Sequence, residues 1–304
     1  MKARKYIVLA ALAVMVAALA LVGCSSGGSS SAASSASGSG SASAASESAS
    51  AASESASGSE ASSAASGEMK LVTEGKITVI ASQDFPPFEF IDEQTGEATG
   101  FSVDLITAMA KEMGLEAEYL PTMSFDTIIA TIQAGAKADI GMSSFTVTDK
   151  RKEQVDFTDT YMNSNQSIVL PKGAEYTDYL SYDWKGKKVA VQSGTTGEDW
   201  ARENLPDAEV VPMDECTVIF SALGTPQADA VVLDLPVAQY YVSKSYPDAS
   251  IVEEIPTGEK YGIAVNKDNP ALTAALNEAL AKVIDNGTYD QLCEKYGIDP
   301  ASAR

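Results

Sequence analysis

Residues 143–151 read Ser143-Ser144-Phe145-Thr146-Val147-Thr148-Asp149-Lys150-Arg151, and the run continues as Val155-Asp156-Phe157-Thr158-Asp159-Thr160-Tyr161. An apolar strand core, Asp139–Met142, leads into it. Small hydroxyl residues therefore fall at a strand end, ahead of a short helix that carries an arginine. Free backbone N–H groups at such a turn, together with a guanidinium, suit a carboxylate. The guanidinium is a planar fork of donors, and charge-assisted hydrogen bonds are the strong ones. The same residues also fit a solvated arginine in a surface turn, so the stretch takes its meaning from its surroundings.

On the N-terminal side, Lys76–Ala81 reads as a short β-branched strand. Ser102 is placed to cap a helix with Val103, Ile106, Met109, Ala110 and Met113 at helical spacing. Ser124 is placed to cap a second, with Ile128, Ile129 and Ile132 inward and Gly135 near its end. On the C-terminal side, strand cores follow at Ser167–Leu170, Lys188–Val191, Val210–Met213 and Ala230–Leu233. Two helices then span Pro270–Asn286 and Thr288–Tyr296. This alternation predicts α/β layers with mostly parallel sheets, and its length suits two lobes better than one sheet.

Two more clusters stand at strand ends. In Val191-Gln192-Ser193-Gly194-Thr195-Thr196-Gly197-Glu198-Asp199 a Gly-Thr-Thr turn opens a helix, whose unpaired N–H groups form an anion site. An ordinary capped helix accounts for the same residues. In Ala228-Asp229-Ala230-Val231-Val232-Leu233-Asp234 the final aspartate directly follows an apolar strand, where α/β folds place ligand-binding side chains. Asp234 is equally placed to cap the next helix.

The 304-residue chain carries a formal net charge of −21, no histidine and a pI near 4.3. That charge repels phosphate backbones and speaks against nucleic-acid binding. Without histidine there is no Ser-His-Asp or Cys-His pair and no imidazole zinc site. Neither a phosphate loop nor a dinucleotide fingerprint occurs. The expectation is a binding protein with no cofactor, no metal and no catalysis. Cys216 and Cys293, far apart in sequence, read as free buried thiols.

At the N-terminus Lys2, Arg4 and Lys5 precede an apolar run from Tyr6 to Val22. Leu21-Val22-Gly23-Cys24 resembles the bacterial lipobox, which implies a signal peptide over 1–23, cleavage before Cys24 and a diacylglycerol on its sulfur. An uncleaved anchor is the other reading, and both put the bulk of the chain outside the cytoplasm. Residues 24–67 are that cysteine and a stretch almost wholly of Ser, Ala and Gly, with Glu47, Glu54 and Glu60 spaced through it. With no apolar side chain larger than alanine it cannot repay ordering entropy, and it reads as a disordered tether.

The three strand-end clusters come in order with Phe85-Pro86-Pro87-Phe88-Glu89-Phe90, Gly100-Phe101-Ser102-Val103-Asp104-Leu105 and Tyr261-Gly262-Ile263-Ala264-Val265. From Lys76 to Tyr296 the chain thereby resembles the family 3 extracellular solute-binding proteins, the amino-acid receptors of ABC importers. The resemblance implies an α/β, two-lobed type II periplasmic-binding-protein (Venus-flytrap) clamp with crossover strands near Asn163–Ser167 and Thr257–Tyr261. Lobe 1 would hold 68–164 and 261–304, and lobe 2 would hold 165–260. It also implies that Arg151 grips a ligand α-carboxylate, that Ser144 and Thr146 contact the common amino-acid portion, and that Asp234 pairs with the α-ammonium. The Thr196 N–H, with Thr195 beside it, would meet the carboxylate, and Phe85 and Phe125 would flank the ligand side chain.

Receptors for basic amino acids in this family tend to carry an acid where this chain has Ser82, and some relatives carry lysine where it has Gln192. A neutral polar ligand side chain follows, although Asp84 keeps a basic one open. The implied partners are the amino acid, an ABC permease with its ATPase subunit, and the outer face of the cell membrane through the lipid; the protein would act as a monomer. Other proteins of this fold are extracytoplasmic enzymes, such as cyclohexadienyl dehydratases, or ligand-sensing receptors. An enzyme needs a further acid or base in the cleft, and no carboxylate besides Asp234 stands out. A sensor needs membrane and signalling segments after the clamp, and none precedes Arg304.

Overall fold

The apolar run Lys-Ile-Thr-Val-Ile forms β1 (Lys76–Ile80), buried along all but its first residue. It belongs to a computed structural model that describes residues 67–304. The expected signal peptide, Cys24 and all of the expected tether before Gly67 lie outside the described residues.

A small antiparallel sheet follows, β2 (Asp84–Phe85), β3 (Glu89–Ile91) and β4 (Ala98–Thr99). Helix α1 (Phe101–Glu112) starts earlier than Ser102 foretold: Gly100 occupies the N-cap, and Ser102 is buried inside the first turn. Gly100 has φ +124°, and a Cβ there would stand 2.1 Å from the Phe88 carbonyl oxygen, so only glycine fits this junction. After β5 (Glu116–Tyr119), α2 (Phe125–Ala134) has Ser124 at its N-cap position, though the side chain makes no capping hydrogen bond. Strand β6 (Ile140–Thr146) is longer than its apolar core, so Ser143–Thr146 lie within the strand and not beyond its end. The helix bearing Arg151, α3 (Asp149–Lys152), is a single turn capped by Thr148.

The chain continues through β7 (Asp156–Phe157), β8 (Met162–Pro171), β9 (Lys188–Gln192), α4 (Thr196–Asn204), β10 (Glu209–Met213) and α5 (Cys216–Ala222). Then come β11 (Ala230–Asp234), α6 (Leu235–Lys244), β12 (Ala249–Val265), α7 (Pro270–Asp285), α8 (Thr288–Tyr296) and α9 (Pro300–Ala303).

The main sheet has the order β10-β9-β11-β8-β12-β6-β1-β5, with β7 paired to β12. Its two ends, β10-β9-β11 and β6-β1-β5, are parallel triplets. The expectation of mostly parallel sheets holds within each triplet and fails between them. There β8 and β12 pair antiparallel with each other and with their outer neighbours. These two strands are the crossovers of a two-lobed fold. One core of Ile80, Phe125, Ile128, Ile132 and Phe145 packs at the β6 end, and another of Ile168, Trp184, Val189, Val191 and Val232 at the β9 end. Cys216 and Cys293 are both buried and unpaired.

The carboxyl ends of β6, β9 and β11 finish at Thr146, Gln192 and Asp234. Every cluster read from sequence is therefore delivered to the same end of its strand, where the crevice of an α/β sheet lies.

Candidate functional site

Arg151 is buried, and its guanidinium packs against two aromatic rings. Its carbon lies 5.3 Å and 5.4 Å from the ring centroids of Phe125 and Phe145. Those rings stack on each other at 4.6 Å, so the arginine faces a rigid aromatic wall. Nη1 donates to the Thr146 carbonyl at 2.8 Å and Nη2 to the Gly194 carbonyl at 3.1 Å. The second bond reaches from the β6 side to the β9 side. Burial pulls the guanidinium below its ordinary pKa, while the charges of Glu259, Asp234 and Asp199 pull it back up.

Beside it, α4 begins. Thr195 takes the N-cap, its Oγ1 accepting from the Glu198 N–H at 3.1 Å and donating to the Gln192 carbonyl at 2.8 Å. Thr196 is the first helical residue, where an N–H has no intrahelical acceptor. The anion-binding end of a nine-residue helix thus stands with the arginine.

Asp234 supplies the opposite charge. It stands at the N-cap of α6 but makes no capping bond; its oxygens are used elsewhere. They accept from Gln166 Nε2 at 2.8 Å, Ser164 Oγ at 3.3 Å and the Tyr261 hydroxyl. Burial, and next the neighbouring Glu259, push its carboxyl up to about 7, against the lowering pull of those three hydrogen bonds.

Nine of the ten binding residues expected from sequence line one tightly closed cavity of about 10 Å³, room for about one water: Phe85, Phe125, Ser144, Thr146, Arg151, Gln192, Thr195, Thr196 and Asp234. The tenth, Ser82, stays out of its lining. Its hydroxyl donates to Asp84 Oδ1 at 2.8 Å, which leaves Ser82 one step behind the site. Asp84 is itself occupied, because its Oδ2 accepts from the Cys216 N–H across the cleft at 2.6 Å. A larger open groove beside the crossover strands, lined in part by Asn163, Leu235 and Tyr240, contains none of the ten.

Ser144 has φ +46°, the one positive value among the described non-glycine residues, and such strain gathers at ligand sites. Its hydroxyl donates to Glu89 Oε2 at 3.1 Å. Glu89 is fully buried, and that burial raises its carboxyl well above the ordinary range. The expectation that Asp234 is alone among cleft carboxylates is therefore wrong. Glu89 lies behind Ser144, and Glu259 accepts from both Thr146 and Thr196. Sequence reasoning missed Gln166, Glu259 and Glu89 as site residues. Glu89 and Tyr261 sit inside the Phe85–Phe90 and Tyr261–Val265 motifs, but Gln166 and Glu259 come from the crossovers, where no local spacing marks them.

A model of the bacterial extracellular solute-binding proteins, family 3, matches residues 77–299. The L-cystine-binding protein TcyJ of Escherichia coli (strain K12) is 32% identical over 231 residues, covering 76% of this chain and 86% of that protein. The ABC transporter glutamine-binding protein GlnH of Bacillus subtilis (strain 168) is 31% identical over 229 residues, covering 74% of this chain and 83% of its own length. Among solved structures, an ancestral arginine-binding protein bound to glutamine superposes with a TM-score of 0.69 at 40% identity, covering 74% of this chain and 98% of the other. The chain belongs to the bacterial extracellular solute-binding proteins, family 3.

Proposed function

We propose that this protein captures an L-α-amino acid between its lobes and hands it to the permease and ATPase of an ABC importer. The observation that carries the reading is the pairing of Arg151 and the α4 N-terminus with Asp234 in a single cavity walled by Phe85 and Phe125. A zwitterion needs a donor fork for its carboxylate and a carboxylate for its ammonium, and the cavity offers one of each. Lobe 1 is taken as 68–164 with 261–304, and lobe 2 as 165–260. Relatives named for glutamine and cystine fit a neutral polar ligand side chain, while others of similar identity are named for arginine and histidine, so the reading rests on the site itself. Gln192 in the lining carries no charge, which supports a neutral side chain; Asp84 lies outside the lining, and both its oxygens already accept hydrogen bonds. The protein would be a monomer fixed by lipid on Cys24 to the outer face of the cell membrane.

Calorimetric titration with the twenty L-amino acids tests the reading. A neutral polar amino acid such as L-glutamine should bind, and its N-acetyl derivative, which has lost the ammonium, should not. Equal binding of the two would mean that Asp234 does not hold the ammonium. Labelling cells with a fatty-acid analogue tests the anchor: the parent should take label and Cys24→Ser should not.

A further inference from the structure

Glu259 is only 7% exposed, and glutamates are rarely buried so deeply unless they are paired. Its carboxylate accepts from Thr146 Oγ1 at 2.5 Å, Thr196 Oγ1 at 2.9 Å and Gln166 Nε2 at 3.0 Å. The same Gln166 amide donates to Asp234. These donors come from the end of β6, the first residue of α4 and the crossover β8; β6 and β8 flank β12 in the sheet, so the contact that closing must make is the one to α4. Glu259 does not line the cavity itself.

Local structure is shaped to present this side chain. Between Ile255 and Glu259 the pairing of β12 with β8 slips, so that four steps on β12 match two on β8. The intervening residues, Pro256, Thr257 and Gly258, are exposed and oppose the single residue Asn165, and Gly258 turns through φ +64°. The excursion is pinned at both sides: the Gly258 N–H donates to Asn165 Oδ1 at 2.9 Å, and the Gln166 N–H donates to Thr257 Oγ1 at 3.2 Å. Bulges of this kind re-aim side chains beside functional sites.

We propose that Glu259 is the positioning residue that locks the clamp shut, one carboxylate holding a threonine hydroxyl from each lobe. The inference rests on the amino-acid-binding reading. One carboxylate can serve both threonines only while the lobes are together, and an interaction present in one state alone shifts the closure equilibrium. The lock belongs to the closed state, which the ligand-free chain also visits; once ligand is bound it slows release and leaves capture nearly unchanged.

The test uses the full chain, with L-glutamine and L-arginine as probes and stopped-flow kinetics as the readout. Glu259→Ala should raise the dissociation rate about tenfold or more while association stays within about twofold. Glu259→Gln keeps an acceptor oxygen for the threonines and should fall between parent and alanine; it also supplies the measurement if the alanine variant does not fold. Thr196→Val keeps the backbone N–H and loses only the hydroxyl, so its effect should not add to that of Glu259→Ala. A merely structural glutamate would lower the unfolding midpoint without this split in rates or this non-additivity. Dissociation at the parent rate, or full additivity with Thr196→Val, overturns the lock. If neither probe binds the parent, that failure belongs to the amino-acid reading. The lock is then read in the ligand-free chain from nitroxide labels at Thr127→Cys and Glu203→Cys. Glu259→Ala must widen that inter-lobe distance, and an unchanged distance overturns the proposal.

Discussion

Arg151 shows how a residue can be prepared for a ligand before any arrives. Two of its donors are spent on neutral carbonyl oxygens, and the acids that offset its charge, Glu259, Asp234 and Asp199, act without a direct hydrogen bond to it. Among the described residues no carboxylate bonds to it directly, so a carboxylate entering the cavity gains a charge-assisted partner in a site shielded from solvent. Arg151→Ala should weaken amino-acid binding by about 2–5 kcal/mol, the usual loss when one member of a buried charge pair is removed. Calorimetry at parent-like affinity would take Arg151 out of the site. Asp234 makes the complementary prediction through pH. Its folded carboxyl titrates near 7 against an ordinary 3.8, so between those values the folded state holds a proton that the unfolded state has lost. Stability of the ligand-free protein should therefore fall as pH rises from about 4 to about 7, with a slope from this group approaching 1.4 kcal/mol per pH unit at most. Urea unfolding across that range should show the slope in the parent and a flatter curve in Asp234→Asn. An unchanged slope would mean that other groups dominate the titration.

At the scale of elements, the junction of β4 and α1 is the most demanding piece of backbone. The Cβ of any residue replacing Gly100 would overlap the Phe88 carbonyl in a conformation that side chains rarely adopt. Gly100→Ala should cost about 2 kcal/mol or more in urea unfolding, with the effect transmitted to Glu89 and hence to the Ser144 hydroxyl. Elements whose register is local were readable from the chain: α8 has the bounds its spacing indicated, and β6, β9 and β11 run through the apolar cores that mark them. Most residues that line the cavity were readable for the same reason, because Ser144, Thr146, Gln192, Thr195, Thr196 and Asp234 sit in short motifs at strand ends, whereas Phe85 and Phe125 entered only through the family resemblance. Ser102 misled because its hydroxyl resembles a cap, while the true start depends on a contact between Gly100 and Phe88, which lies on the far side of a hairpin. Glu259 and Gln166 were illegible for a stronger version of that reason. Each faces inward only because β8 and β12 pair across 93 residues of sequence, and no single segment contains that pairing.

For the whole molecule, the division of the site between lobes matters more than any one contact. Arg151, Ser144 and Thr146 belong to the β6 side, and Thr195, Thr196 and Asp234 to the β9 side. The charged pair that a zwitterion would meet, the Arg151 fork and the Asp234 carboxyl, is thus split between the two sides. The structure already carries cross-lobe bonds that need no ligand: Asp84 to the Cys216 N–H, the Tyr241 hydroxyl to the Asp84 carbonyl at 2.9 Å, and Arg151 to the Gly194 carbonyl. An exposed pair, Lys150 with Asp199 at 3.7 Å, adds little because solvent screens it. The built-in bonds lower the cost of closing, and the ligand adds the differential affinity that makes the closed state dominant. In a closing motion the β8 and β12 crossovers would absorb the rotation, as hinge strands do when a few residues take up the change in dihedral angles. Small-angle scattering on residues 68–304, free of the tether's contribution, should show a smaller radius of gyration once L-glutamine is added at a concentration that calorimetry proves saturating. A saturating ligand that leaves the radius unchanged would separate binding from closure. Arg151 and Asp234 would keep their places, but delivery could no longer depend on a permease telling a closed clamp from an open one.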